Sequence, residues 1–194
     1  MSARPGDGIG NEQEAIESAR AGNEAGWNWL VTTWQTPLVA FLTRMLGNED
    51  DALEIAQEAF IRALRHIGNF RAGSKFSTWL FGIAVNLSRD LKKSARSRLV
   101  QSMPEMADVA DRAPSQSRGD ENEYRELVAE LRRAIDRLPE KLRPAFMLFY
   151  EENMSMNEIS SILKLPAALV KVRLFRARKY IANANPHLKD YLWN

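Results

Sequence analysis

The chain reads as all-α, with two small helical domains joined by a flexible acidic linker. Three observations lead there. Apolar residues recur every three or four positions through almost every segment, and no β-branched alternating run bounded by turn residues interrupts them. One stretch, 99–122, loses that periodicity, and it holds Pro104, Pro114 and several Ser residues. Cationic charge gathers in two places on either side of it, with nine Lys/Arg against one acid over 62–98 and six against none over 164–179.

The N-terminal segment 1–22 reads as a partly disordered tail. Its first eleven residues contain Gly and Pro, and a short helix is expected over 12–21. The first domain occupies 23–98. A helix over 24–46 brings Trp27, Leu30, Trp34, Leu38, Phe41 and Met45 to one side, and Pro37 inside it predicts a kink or a split. Gly47-Asn48 breaks the chain, and the next helix, 50–67, gathers Leu53, Phe60, Leu64 and Ile67. After a loop over 68–75 comes the first basic helix, 76–98, with Ser77 as its expected N-cap. Leu80, Ala84, Leu87 and Leu91, with Ile83 beside them, form its buried stripe. Thr78, Gly82, Val85, Asn86, Arg89, Lys92, Lys93 and Arg96 lie across from them. Just upstream, Phe70, Arg71, Lys75 and Phe76 mix aromatics with cations. Single-stranded nucleic acid needs that mixture, because bases stack while phosphates are neutralised. Aromatics at helical spacing also serve as core, and Trp79 in particular is expected at least half buried.

The linker 99–122 is acidic, with two Arg against six Asp/Glu over 99–124. The second domain, 123–182, opens with a helix over 123–138. Pro139 suits the first position of the following helix, and Pro144 is expected to distort its first turn. Ser155 with Glu158 three residues on is a capping-box pattern, opening a short helix that ends near Leu163. Lys164-Leu165-Pro166 then turns into the second basic helix, 166–181. Val170, Leu174, Ala177 and Ile181 fall on one stripe of that helix. Ala168, Val172, Phe175, Arg176 and Lys179 fall opposite, flanked by Lys171, Arg173 and Arg178. A short capped helix, a tight turn and a basic second helix make a helix-turn-helix, whose second helix enters a major groove. There Arg reads guanine, while Val and Phe touch thymine methyls. A merely solvated amphipathic helix is the plainer reading, but sixteen residues with six cations and no acid argue against it. Residues 183–194 are left as a C-terminal tail.

Composition narrows the function. The formal net charge is only +2, so two concentrated basic faces point to two contacts on one polyanion. No cysteine is present, which removes thiolate chemistry, disulfides and Cys-based zinc and fits a reducing cytoplasm. The first residues lack an apolar leader core, and the longest apolar run, 145–150, is too short to cross a bilayer. His66 and His187 are far apart in sequence, and Gly6, Gly8 and Gly10 follow no strand. Glu151-Glu152 and Asp50-Asp51 read as helix-end charges. The expectation is a cytoplasmic, non-enzymatic, nucleic-acid-binding protein with no cofactor and no metal.

Two stretches carry a resemblance. DDALEIAQEAFIRALRHIGNFRAGSKFSTWLFGIAVNLSRD resembles region 2 of sigma-70-type factors of the extracytoplasmic function (ECF) group, and LPEKLRPAFMLFYEENMSMNEISSILKLPAALVKVRLFRARKYI resembles their region 4. The resemblance implies a promoter-specificity subunit that binds core RNA polymerase. Asp51, Glu54, Gln57, Glu58 and Arg62 would dock on the β′ clamp helices, with the β subunit also contacted. Phe70, Arg71, Lys75, Phe76, Asn86, Arg89, Lys92, Lys93 and Arg96 would read and melt the minus-ten element. Ala168, Lys171, Val172, Arg173, Phe175, Arg176 and Lys179 would face the minus-thirty-five element. The linker would run through the polymerase toward its active-site and RNA-exit channels. Promoter DNA and an anti-sigma factor are the further partners implied, with the free protein a monomer that does not insert into membranes.

The chain departs from the family pattern at Ala168-Leu169-Val170, where Gly-Thr-Val is usual, and at Val172, where Ser is common. Both changes make the groove face more apolar. Pro144 also stands where a helix-friendly residue is usual. Two other readings compete. A sigma-like decoy that sequesters an anti-sigma regulator would have no use for two intact cationic faces. A repressor using only the C-terminal helix-turn-helix leaves 50–98 unexplained.

Overall fold

The computed structural model describes residues 9–71, 73–99 and 120–193, so most of the linker 99–122 and the first eight residues lie outside it. Among the described residues every regular element is helical. Nine helices run in the order α1 (Glu12–Arg20), α2 (Glu24–Leu46), α3 (Glu49–His66), α4 (Phe76–Leu99), α5 (Asp120–Asp136), α6 (Arg143–Tyr150), α7 (Met156–Leu163), α8 (Ala167–Ala184) and α9 (Lys189–Trp193). Short 3-10 turns at Ile67–Asn69 and Pro186–Leu188 join α3 to α4 and α8 to α9. Helices α1 to α4 form one bundle and α5 to α9 a second, and α4 lies against α7 across their boundary.

Local chemistry sets most boundaries. Asn11, Asn23 and Asn48 each cap a helix by accepting a backbone N–H from the first turn, at 2.9–3.1 Å. Glu49, Asp50 and Asp51 lie at the positive end of α3, and Arg65 and His66 at its negative end. Gly47 ends α2 in the left-handed conformation (φ 79°), which a side chain would resist. The reciprocal capping box is present at α7: Ser155 Oγ accepts from the Glu158 N–H, and Glu158 accepts from the Ser155 N–H at 2.8 Å.

Five expectations change. Helix α2 is not split at Pro37; proline removes one backbone donor, and the burial of Leu38, Phe41, Leu42 and Met45 holds the helix together beyond it. Ser77 is not the N-cap of α4. The helix starts at Phe76, Ser77 is buried in its first turn, and the Phe76 N–H donates to Glu12 of α1 at 3.1 Å. Pro139 sits in the turn before α6, where its carbonyl accepts from Leu142 at 2.8 Å. Pro144 occupies the first turn of α6, where a missing N–H is no loss. On α3 the buried residues are Ala52, Ile55, Ala56, Ala59, Phe60 and Ala63, whereas Leu53 and Leu64 stand exposed.

The fifth change concerns both ends of the described chain. Neither α1 nor the segment after α8 is a tail. Ala15, Ile16 and Ala19 of α1 are buried against α2. Leu188 and Leu192 are buried on the C-terminal bundle, where Tyr150 Oη donates to the Leu192 carbonyl at 3.2 Å.

The α1–α2 crossing is backbone against backbone. A Cβ on Gly26 would lie 2.5 Å from the Ala15 carbonyl oxygen and 2.6 Å from the Ala19 nitrogen. Gly26→Ala is therefore expected to cost about 1–3 kcal/mol of stability as α1 is forced off α2. Gly68→Ala, where an added methyl meets nothing within 4 Å, should leave the thermal midpoint nearly unchanged. Parallel thermal unfolding of the two variants checks this.

Candidate nucleic-acid and polymerase interface

Three surfaces take shape on this frame. The first is a groove between α2 and α3, a cavity of about 530 Å³ lined by Trp27, Val31, Leu53, Ile61 and Leu64, with Glu54 and Gln57 at its edge. Of the residues expected to dock on the polymerase, Glu54, Gln57 and Arg62 are exposed, and Asp51 and Glu58 half-buried. Glu58 accepts from Arg62 at 2.6 Å, one helical turn away. The apolar floor went unread from sequence. Leu53, Gln57, Ile61 and Leu64 recur at helical spacing beside the core stripe of α3, so the signal was a second apolar stripe on one helix.

The second surface is the loop before α4 with the adjoining turns of that helix. A pocket of about 380 Å³ opens there, lined by Arg71, Lys75, Trp79, Gly82 and Asn86, among others. Arg71, Lys75 and Lys93 are exposed, whereas Asn86, Arg89 and Lys92 are half-buried. The Asn86 side-chain amide donates to the Gly82 carbonyl at 2.8 Å, which fixes its orientation on the pocket wall. Arg96 lies toward the end of α4, beyond the side chains the structure describes.

Two members of the expected set are buried: Phe70 and Phe76 pack with Trp79 at centroid distances of 5.2 and 5.9 Å. Phe76 also meets Trp27 edge-on at 6.4 Å. Large rings gain more from this cluster than from water, so Phe76 supports the pocket from below, while Phe70 lines it with little of its ring exposed. Val85, expected across from the buried stripe, is also core. Trp79 is half-buried and keeps part of its ring on the pocket.

The third surface is α8. Its stripe Val170, Leu174, Ala177 and Ile181 is buried as the wheel predicts. Ala168, Lys171, Val172, Phe175, Arg176 and Lys179 are exposed, with Phe175 at 58% the most exposed of the large apolar residues on this face. Lys164, in the left-handed conformation (φ 51°), closes α7 and starts the tight turn. Arg178 is turned aside: its Nε donates to Tyr150 Oη at 2.5 Å, and its guanidinium lies over the Phe149 and Tyr150 rings. Arg173 is half-buried. Burial, and then the neighbouring Arg89, lower its pKa from the ordinary arginine value.

The second surface meets the C-terminal bundle through α7. Glu158 of α7 accepts from Lys75 at 3.1 Å and from Thr78 Oγ1 at 3.0 Å. Arg89 donates to the Leu163 carbonyl at 2.7 Å, at the negative end of α7. Lys92 pairs with Glu140, Arg44 with Glu151, and Arg143 donates to the Arg44 carbonyl at 2.9 Å. Burial opposes ionisation of Glu158. The hydrogen bonds from Ser155, Lys75 and Thr78 outweigh it and bring its pKa down to about 2. Neither Glu158 nor its partner role was read from sequence beyond the helix cap.

Comparison with known proteins follows the same division. The sigma-70 region 2 family profile matches residues 30–98, and the sigma-70 region 4 profile matches 129–181. The chain belongs to the sigma-70 family. Its curated relatives place it in the ECF group. It is 34% identical to the ECF RNA polymerase sigma-E factor of Escherichia coli over 181 residues, covering 89% of this chain and 93% of that one. It is 33% identical to the RNA polymerase sigma-H factor of Pseudomonas aeruginosa, covering 92% and 96%. Among solved structures, its fold is similar to that of CnrH in complex with the cytosolic domain of CnrY (TM-score 0.62, 21% identity, 89% of this chain and 96% of that chain). It is also similar to RpoE in complex with the anti-sigma factor NepR from Bartonella quintana (TM-score 0.66, 20% identity, 80% and 94%). The region 2 match takes in α2 from residue 30, α3, and α4 to residue 98, and the region 4 match runs from residue 129 in α5 through α6 and α7 to residue 181 in α8.

One acid at the region boundary is poised near neutrality. Burial, and then the charge of Glu151, raise the Glu152 pKa from 4.5 to about 7, with Arg44 partly opposing them. The folded protein thus holds this proton more tightly than the unfolded chain, so stability falls as pH rises from about 4.5 through 7. Glu152→Gln should raise the thermal midpoint at pH 8, with the gain shrinking toward zero near pH 4.5. Thermal scans across that range check the sign.

Proposed function

We propose that this chain is an ECF-type sigma factor that binds core RNA polymerase and directs promoter recognition and transcription initiation. What supports it best is a single arrangement: the exposed cationic and apolar face of α8 sits on a region 4 match, in one chain with a region 2 match that presents its own cationic pocket. The α2–α3 groove, with Asp51, Glu54, Gln57, Glu58 and Arg62 around it, docks on the polymerase. Its exposed leucines supply the burial and its charges set the register. Arg71, Lys75, Asn86 and Trp79 receive the minus-ten strand once it is unpaired, and Lys92 and Lys93 neutralise its phosphates. Lys171, Val172, Phe175, Arg176 and Lys179 enter the minus-thirty-five groove. The protein contributes binding and DNA distortion, and the phosphodiester chemistry belongs to the polymerase. It works where the polymerase does, in the cytoplasm, and no described helix is long and apolar enough to cross a membrane. The solved neighbour RpoE, held in complex with the anti-sigma factor NepR, supports such a regulator as a partner here.

In the described arrangement α7 lies on the minus-ten pocket, with Ser161 and Ile162 on its wall. Promoter reading therefore requires regions 2 and 4 to separate. Loss of the Glu158 charge should favour that opening. Glu158→Gln is expected to bind a single-stranded minus-ten oligonucleotide more tightly than the parent when free of polymerase, and about equally within holoenzyme. Fluorescence anisotropy measures both, and equal affinity of the two free proteins would count against occlusion.

Run-off transcription with purified core polymerase on a promoter library tests the function itself. Specific transcripts should appear only when the protein is added, and binding to core without transcripts would favour the decoy reading. On the promoters so found, Arg176→Ala should weaken minus-thirty-five binding by about 1–3 kcal/mol and relax preference at one position. A loss that is equal on every sequence would assign Arg176 to a phosphate.

A further inference from the structure

The segment between the 3-10 turn and α4 carries Arg71 and Lys75 of the minus-ten pocket, and besides local hydrogen bonds such as Phe70 N–H to the Ile67 carbonyl at 3.1 Å, both its ends are held by α1. At the entry, Arg20 Nε donates to the Ile67 carbonyl at 3.1 Å, and the same guanidinium donates to the Phe70 carbonyl. At the exit, Glu12 accepts from the Phe76 N–H at 3.1 Å. The other Glu12 oxygen accepts from the Trp34 indole N–H, also at 3.1 Å, which orients the carboxylate. Phe76 opens α4, so its N–H has no partner within the helix, and Lys75 before it brings no side-chain acceptor. A residue more than sixty positions away supplies the cap.

Glu12 and Arg20 are the first and last residues of α1. Eight helical steps of about 1.5 Å separate them, roughly 12 Å, so one rigid helix spans the loop from entry to exit. That helix cannot slide. Ala15, Ile16 and Ala19 are buried, and Gly26 lets the α2 backbone close on it to distances that no side chain would allow. The two polar ends of α1 touch backbone groups of the loop, while its middle is locked to α2. A helix that only filled the core would have no reason to present a fork-shaped donor to two loop carbonyls and an acceptor to the following helix start.

We propose that Glu12 and Arg20 are positioning residues for minus-ten reading. In this role α1 acts as a splint that sets the separation of the loop's ends, and with it the shape of the pocket formed by Arg71, Lys75, Trp79 and Asn86. The proposal rests on the minus-ten assignment of that pocket. Neither residue touches nucleic acid; both act through the loop backbone.

The test uses holoenzyme assembled with core polymerase and a labelled single-stranded oligonucleotide carrying the minus-ten sequence recovered by run-off transcription. A panel with one base changed at a time accompanies it. The readout is the discrimination ratio between the matched and changed strands. Arg20→Gln and Glu12→Gln are each expected to lower that ratio about tenfold, because a loosened pocket still attracts phosphates but no longer shapes itself to one base. Core assembly and duplex minus-thirty-five binding should be unchanged. Arg20→Lys, which can still reach one carbonyl, should recover part of the ratio. Ile16→Val thins the α1 packing without touching the loop, and should lower the thermal midpoint while leaving the ratio alone. An unchanged ratio in both polar variants overturns the proposal and leaves the minus-ten assignment standing. An equal drop in Ile16→Val also overturns it, reducing α1 to a stability element. A parent protein with no discrimination at all takes down the minus-ten assignment and the proposal together.

Discussion

The burial of Phe76 at the first residue of α4 is the contact on which the N-terminal half depends. Its ring meets Trp27 from α2, Phe70 from the loop and Trp79 one turn on. Phe60 of α3 joins through Trp27 at 6.1 Å. Such a cluster ties four elements to one point, and burying each ring contributes roughly 1.5–3 kcal/mol. The consequence is geometric. Phe70 and Phe76 are buried, whereas Arg71 and Lys75 between them are exposed. Core rings and surface cations thus share one short segment.

Charge poses the second problem. Both α4 and α8 are rich in cations, and the described arrangement brings Arg89 of one near Arg173 of the other. Arg173 beside Arg89 records the repulsion. Single acids offset it: Glu158 takes Lys75, and Glu140 takes Lys92. Glu158 serves twice, since the carboxylate that closes its own helix cap also receives Lys75 and Thr78 of region 2. These pairs lie at a partly solvated boundary, where an ion pair contributes up to about 1 kcal/mol and is weakened by salt. Contacts of that strength contrast with the dry packing of α1 on α2.

Much of this was legible in the residues. Helix type, the Gly47-Asn48 break, the capping box at Ser155 and the buried stripe of α8 all follow from short-range rules of spacing and hydrogen bonding. The paired basic segments were legible for the same reason, because charge density survives without knowledge of the fold. Failures occurred where a distant element intervened. Ser77 has the right chemistry for a cap, but Glu12 of α1 does the work. Phe70 and Phe76 have the right chemistry for stacking, but Trp27 and Trp79 claim them. Leu53 and Leu64 looked like core because α3 carries two apolar stripes, and nothing local says which one α2 and α4 will cover.

The amino-acid sequence by itself determined an all-α chain, its division around an acidic break, its sigma-family kinship and the two cationic surfaces. Periodicity, caps and charge act over a few residues, so they can be read along a line. The tertiary structure alone decided which aromatics are core and where the groove between α2 and α3 opens. It also decided that α1 and the C-terminal segment are structural parts, and that α7 lies across the pocket beside α4. Each of those outcomes depends on which of several competing apolar faces and polar ends finds a partner tens of residues away. That competition is settled by packing in three dimensions.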